Sequence, residues 1–172
     1  MANEDVQQLR PRDFFRESTA GTDAALSATP TGDMHGLTLP KLDSQGYTTW
    51  FVVDAALTVG TGLTFLLPLV DDGTSADDLG KVVRLGITVK KLVSGSDTAD
   101  LDTAAATEST VDVTLDATSG EITVGSKAIA NAALDSVGAG DTAMLRIRRL
   151  GTNANDTCKG RVILLGVHVK NT

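Results

Sequence analysis

The residues able to do covalent or metal chemistry are few and scattered. Histidine occurs at His35 and His168, and cysteine at Cys158 alone. No H-x-x-x-H or C-x-x-C spacing joins them, so the chain offers no zinc ligand set. A Cys158–His168 nucleophilic pair would need an activating context that the flanking residues do not supply. Asp71, Asp72, Asp77 and Asp78 bracket the loop Gly73-Thr74-Ser75-Ala76 with enough carboxylate for calcium. The spacing of a calcium loop is absent, which favours a solvated acidic loop. Gly60-Thr61-Gly62 lacks the Gly-Lys-Ser/Thr continuation of a phosphate cradle. Asn155-Asp156-Thr157 fits a glycosylation sequon, but MANEDVQQLR has no apolar stretch of a secretory signal. The expectation is no enzyme, no metal and no cofactor.

One charged feature stands out. Arg146 and Arg148 fall on one face of an alternating segment, with Arg149 beside them. In an acidic protein such a ladder is either a solvated face with local salt bridges or an interface device, because the planar guanidinium pairs carboxylates bidentately. Both readings stay open.

The elements that must carry these residues read as strands. From Tyr47 onward, apolar and polar residues alternate: Thr49, Phe51 and Val53 against Trp50, Val52 and Asp54; then Leu63 to Leu67 and Val83 to Val89. The pattern returns in Val111 to Leu115, Glu121 to Val124, Ala143 to Ile147 and Ile163 to Val169. Period-2 patterning gives each strand one buried and one wet face. The connections are rich in Gly, Asp, Ser and Thr, which spells an antiparallel sandwich or barrel. Ala99 to Thr107 reads as a helical turn or a loop.

Residues 1–46 read differently. Three of the four prolines, Pro11, Pro30 and Pro40, lie there, and no period persists. A disordered tail and an extended N-terminal arm both fit this composition. Phe14, Phe15, Leu26, Leu37 and Leu39 favour an arm that docks, since a solvated tail has no use for adjacent phenylalanines. The domains expected are therefore an arm, 1–46, and an all-β body, 47–172. Deleting residues 1–36 should then leave a folded body.

Charge and size narrow the classes further. The chain has 172 residues, with 15 basic against 22 acidic, a net charge of −7. Phosphate-backbone binding and adhesion to anionic lipid both need the opposite balance, so neither nucleic acid nor membrane is an expected partner. The apolar runs are too short to span a bilayer. Synthesis in a reducing cytoplasm is expected.

The last strands carry a resemblance. Leu145-Arg146-Ile147-Arg148-Arg149, a polar turn Gly151 to Asn155, Asp156-Thr157-Cys158-Lys159-Gly160 and a closing strand Arg161 to Val169 resemble a small jelly-roll module of tailed-bacteriophage virion proteins. Thr48 to Val53 is similar to its opening strand, and Val82 to Lys91 to its middle ones. Cys158 and the paired Lys90-Lys91 depart from the pattern. The resemblance implies an antiparallel jelly-roll β-sandwich. It also implies a capsid decoration protein on the virion's outer surface, binding the major capsid protein as a homotrimer. Phe14, Phe15, Leu37, Leu39, Arg146 and Arg148 are then candidate interface residues. Asp156 and Thr157 are expected to close an Asx- or ST-type turn, and Gly160 to supply a positive φ. Two alternatives remain: a head-fibre, tail or baseplate subunit, and a carbohydrate-binding module. The second needs exposed aromatic platforms, and Trp50 and Tyr47 are the only Trp and Tyr in the chain.

Overall fold

The computed structural model describes residues 6–10, 13–16, 26–28, 35–41, 46–93 and 107–172. Most of the segment from Ala99 to Thr107 lies outside them. Among the described residues the strands are β1 (Val6–Leu9), β2 (Phe15–Arg16), β3 (Leu26–Ala28), β4 (His35–Leu39), β5 (Gly46–Val52) and β6 (Leu63–Asp71). They continue with β7 (Val82–Lys91), β8 (Ser109–Thr114), β9 (Thr123–Ile129), β10 (Thr142–Arg149), β11 (Val162–Leu164) and β12 (Val167–Asn171). Two antiparallel sheets form a β-sandwich, as the alternation predicts. One sheet runs β2-β5-β10-β7-β8; the other runs β1-β12-β6-β11-β4-β3, with β9 also on β6.

The inward faces follow the pattern residue by residue. Tyr47, Thr49, Phe51 and Val53 point in from one sheet, with Val83, Leu85, Ile87, Val89, Ala143, Leu145 and Ile147. Leu63, Phe65, Leu67, Leu69, Val162, Leu164, Val167 and Val169 meet them from the other. Each such aliphatic or aromatic side chain, fully buried, contributes roughly 1.5–3 kcal/mol. Tyr47 keeps its polar end satisfied by donating to the Thr38 carbonyl oxygen of the opposite sheet, at 2.5 Å.

The single closing strand expected from Arg161 to Val169 is two strands. Gly166, at φ 146°, breaks it, and β6 changes partner at the break. Residues 63–66 of β6 pair with β12, and residues 69–71 with β11. Pro68 sits in that gap, where its missing N–H interrupts no ladder, and its carbonyl accepts from Leu165 N at 2.9 Å.

The separate arm is corrected by the described part of residues 1–46. β1 pairs with β12, β2 with β5 and β4 with β11, so this segment edges both sheets. Leu9, Phe14, Leu37 and Leu39 are core residues, at most 6% exposed. The Gln7 side chain donates to the Val52 carbonyl at 2.7 Å and accepts from Asp54 N at 3.2 Å, tying β1 to the end of β5. Deleting residues 1–36 removes three strands and two core side chains and cuts into a fourth strand, so a folded body is not the expected product. Alternation was invisible here because the strands are two to five residues long.

Candidate functional site

The outer face of the five-stranded sheet gathers what the sequence scatters. Its register sets rows across the strands: Trp50, Met144 and Lys90; then Thr48, Arg146 and Thr88; then Gly46, Arg148, Gly86 and Thr110; then Arg84 and Asp112. Trp50 is 52% exposed and its strand neighbour on the same face, Val52, 56%. Met144 beside Trp50 is buried. An indole held half in water on a sheet face is a surface ready for contact, amphipathic and stiff.

The charged rows are built from fork-like pairs. Arg148 donates through Nε and Nη2 to the two carboxylate oxygens of Glu108, at 2.5 and 2.8 Å. To reach Arg148, Glu108 lies across Gly86, where an added Cβ would meet Oε1 at 2.4 Å. That glycine serves close approach, not a special φ: an alanine methyl there would push the end of the Glu108 side chain aside. Arg84 Nη1 lies 3.0 Å from both oxygens of Asp112, and its Nη2 donates to Thr110 Oγ1 at 3.1 Å. Both pairs are partly exposed, so each contributes at most about 1 kcal/mol to stability. Their effect is to fix the direction of donors and acceptors.

Arg149 parts company with its neighbours. The parity that puts Ala143, Leu145 and Ile147 inside puts Arg149 inside too, at 0% exposure. Its Nε and Nη2 donate to Asp156 Oδ2 and Oδ1 at 2.8 and 2.7 Å. Its remaining N–H groups reach the carbonyls of Cys158, Gly160 and Leu39. Burial works against the guanidinium charge most strongly, yet the hydrogen bonds and charges of Asp156 and Cys158 together outweigh it and raise the Arg149 pKa above its ordinary value. Asp156 also accepts from Arg84 N at 3.1 Å, and Thr157 Oγ1 accepts from Val82 N at 3.0 Å. The two residues thus clasp the 156–160 loop to β7 and β10.

Gly160 does not take the expected positive φ. It is a close-approach glycine: a Cβ there would meet Asp78 Oδ2 at 2.1 Å. Asp78, 1% exposed, accepts through Oδ1 from Lys159 N at 2.7 Å and Gly160 N at 3.0 Å. Asp71 is buried as well, accepting from Gly73 N, Ser119 Oγ and Gly120 N at 2.8–2.9 Å. For these two carboxylates the solvated acidic loop is corrected, because they serve as acceptors for loop N–H groups. Among the described residues, no group of three or more His, Cys, Asp or Glu is placed to hold a metal ion.

Cys158 is fully buried beside this clasp. Burial pushes its thiol up to about 11, and the neighbouring Asp78 pushes the same way. At pH 8 about one thiol in a thousand is then ionised. The native protein is expected to leave an aromatic disulfide reagent unreduced until denaturant is added. Prompt labelling in native buffer would contradict this burial. His168 lies on the other sheet, its backbone opposite Leu66.

Of the candidate interface residues, Arg146 and Arg148 share the outer face with Trp50. Phe14, Leu37 and Leu39 are in the core, which corrects their assignment as interface residues. Phe15 pairs through its backbone with Thr48, on the edge of the same sheet; its side chain lies outside the described residues. Glu108 and Gly86 were missed, since nothing in their local sequence marks a residue that crosses a strand. A shallow depression of about 490 Å³ lies elsewhere, lined by Ala76, Asp77, Leu79, Lys81, Thr157 and Lys159. It contains no aromatic ring.

No protein-family profile matches the chain, and no curated protein does. Solved structures do. CBM35 from Cellvibrio japonicus Abf62 superposes with a TM-score of 0.55 at 8% identity, covering 96% of this chain and 92% of that one. The CBM22-2 xylan-binding domain from Paenibacillus barcinonensis Xyn10C gives 0.50 at 11% identity, covering 96% and 99%. An exo-β-1,3-galactanase from Phanerochaete chrysosporium, solved with β-1,3-galactotriose, gives 0.51 at 7% identity, and this chain spans 29% of it. The β-sandwich is similar to the jelly rolls of such modules, and identities this low carry the fold alone. None of these three is a virion protein, so the resemblance of the last strands rests on sequence pattern.

Proposed function

We propose that this protein is a non-catalytic carbohydrate-binding module whose working surface is the outer face of the five-stranded sheet. The observation that carries the reading is Trp50, half-exposed at the end of the row Trp50, Met144 and Lys90, beside rows of polar and charged side chains. A sugar ring presents an apolar C–H face and a polar rim; an indole takes the first and the neighbouring rows take the second. The fold's likeness to CBM35 and to a xylan-binding domain supports the same class. Trp50→Ala is expected to weaken glycan binding at least tenfold, as loss of an aromatic anchor does, with the circular dichroism spectrum and melting temperature unchanged. Wild-type protein that binds nothing on a broad glycan array defeats the proposal.

A second reading is favoured by the Leu145 to Val169 pattern: a structural subunit of a tailed-phage particle. It would sit on the capsid's outer surface as a homotrimer on the major capsid protein. Quantitative mass spectrometry of purified particles decides it. Hundreds of copies per particle support decoration, a few copies a fibre or tail position, and absence from particles ends it.

A further inference from the structure

We infer that the ligand of this face is an uncharged, extended oligosaccharide, an inference that rests on the carbohydrate-binding reading. In a protein of net charge −7, four cations on one face, Arg84, Lys90, Arg146 and Arg148, at first suggest an acidic ligand. Their partners argue otherwise. Arg148 is forked onto Glu108 and Arg84 onto Asp112. Lys90 and Arg146 are engaged as well. An acidic sugar could claim Arg148 or Arg84 only by displacing its partner and leaving that carboxylate uncompensated, an exchange with little net gain.

Hydroxyl groups face no such exchange. Glu108 and Asp112 Oδ1 keep lone pairs able to accept from a hydroxyl, while Asp112 Oδ2 already accepts a second bond, from Asn155 Nδ2 at 3.3 Å. Because the pairs already hold one another in place, little side-chain entropy is lost when a ligand uses them. The Gly86 notch that lets Glu108 lie flat keeps this row low beneath a chain running along the face.

Length follows from register. From the Trp50 row to the Arg84–Asp112 row is six residues along β7, from Lys90 to Arg84. At about 3.3 Å per residue that is roughly 20 Å, room for several sugar rings and far more than one.

The test is calorimetric titration of the full chain with uncharged hexasaccharides (xylo-, cello-, manno- and β-1,3-galacto-), their disaccharides, and hexagalacturonate, each at low and high salt. An uncharged hexasaccharide is expected to bind at least tenfold tighter than its disaccharide, with less than a twofold change across the salt range. Glu108→Gln and Asp112→Asn, which unbalance the pairs, are expected to gain salt-sensitive binding of hexagalacturonate. If wild type prefers hexagalacturonate, or binds a disaccharide as tightly as a hexasaccharide, and Trp50→Ala abolishes that binding, the inference is overturned and the glycan reading stands. If no probe binds, both fall.

Discussion

Asp156→Ala is expected to remove about 3–5 kcal/mol of folding stability, the cost of leaving a buried charge without its partner. Arg149 has no route to solvent: it is fully buried, and its N–H groups are committed to Asp156 and to carbonyls of the 156–160 loop and Leu39. Arg149→Met should cost a similar amount for a different reason. It would strand the Asp156 carboxylate and the carbonyls of Cys158 and Gly160 together. A double replacement with apolar residues would still leave those carbonyls unsatisfied, so it is not expected to recover wild-type stability. Against a typical total of about 5–15 kcal/mol, either single change removes a large share. Urea titration followed by circular dichroism measures it; Trp50, already half-exposed, is a poor reporter of unfolding. A loss below about 1 kcal/mol for Asp156→Ala would mean that the clasp is not holding the fold.

Gly160→Ala is expected to cost roughly 2–3 kcal/mol through Asp78. The new methyl would sit where Asp78 Oδ2 now lies, 2.1 Å away, and Asp78 is buried with its other oxygen tied to two backbone N–H groups. Moving that carboxylate breaks both bonds inside the protein, a penalty of this order. Asp78→Ala strands the same N–H groups but clears the space. The two changes together should therefore cost no more than Asp78→Ala alone, a strong coupling in a double-mutant cycle. Simple additivity would show that the glycine is needed for some other reason.

Most of the sandwich was legible because burial and alternation coincide from Tyr47 onward, and the inward residues of β5, β7, β8 and β10 fall where the pattern puts them. Two things hid the rest. Near the N-terminus, strands of two to five residues cannot display a period, although Leu37-Thr38-Leu39 already carried one. In the candidate site the decisive relations cross strands: Glu108 meets Arg148 over Gly86, and only a register reveals that. Arg149 is instructive in another way. Its parity with Leu145 and Ile147 pointed inward, while its charge suggested the surface. Parity was the better guide, because Asp156 seven residues on supplies the compensating charge.

The pairing of β1 with β12 has a consequence for biosynthesis. Val6 lies opposite Lys170, so β1 must wait for synthesis to reach Lys170 before its neighbour exists. Such distant pairings slow the search for the native topology. Until β12 arrives, Leu9 has no finished sheet to close against, and the nascent protein should depend on holdase chaperones until that strand has emerged.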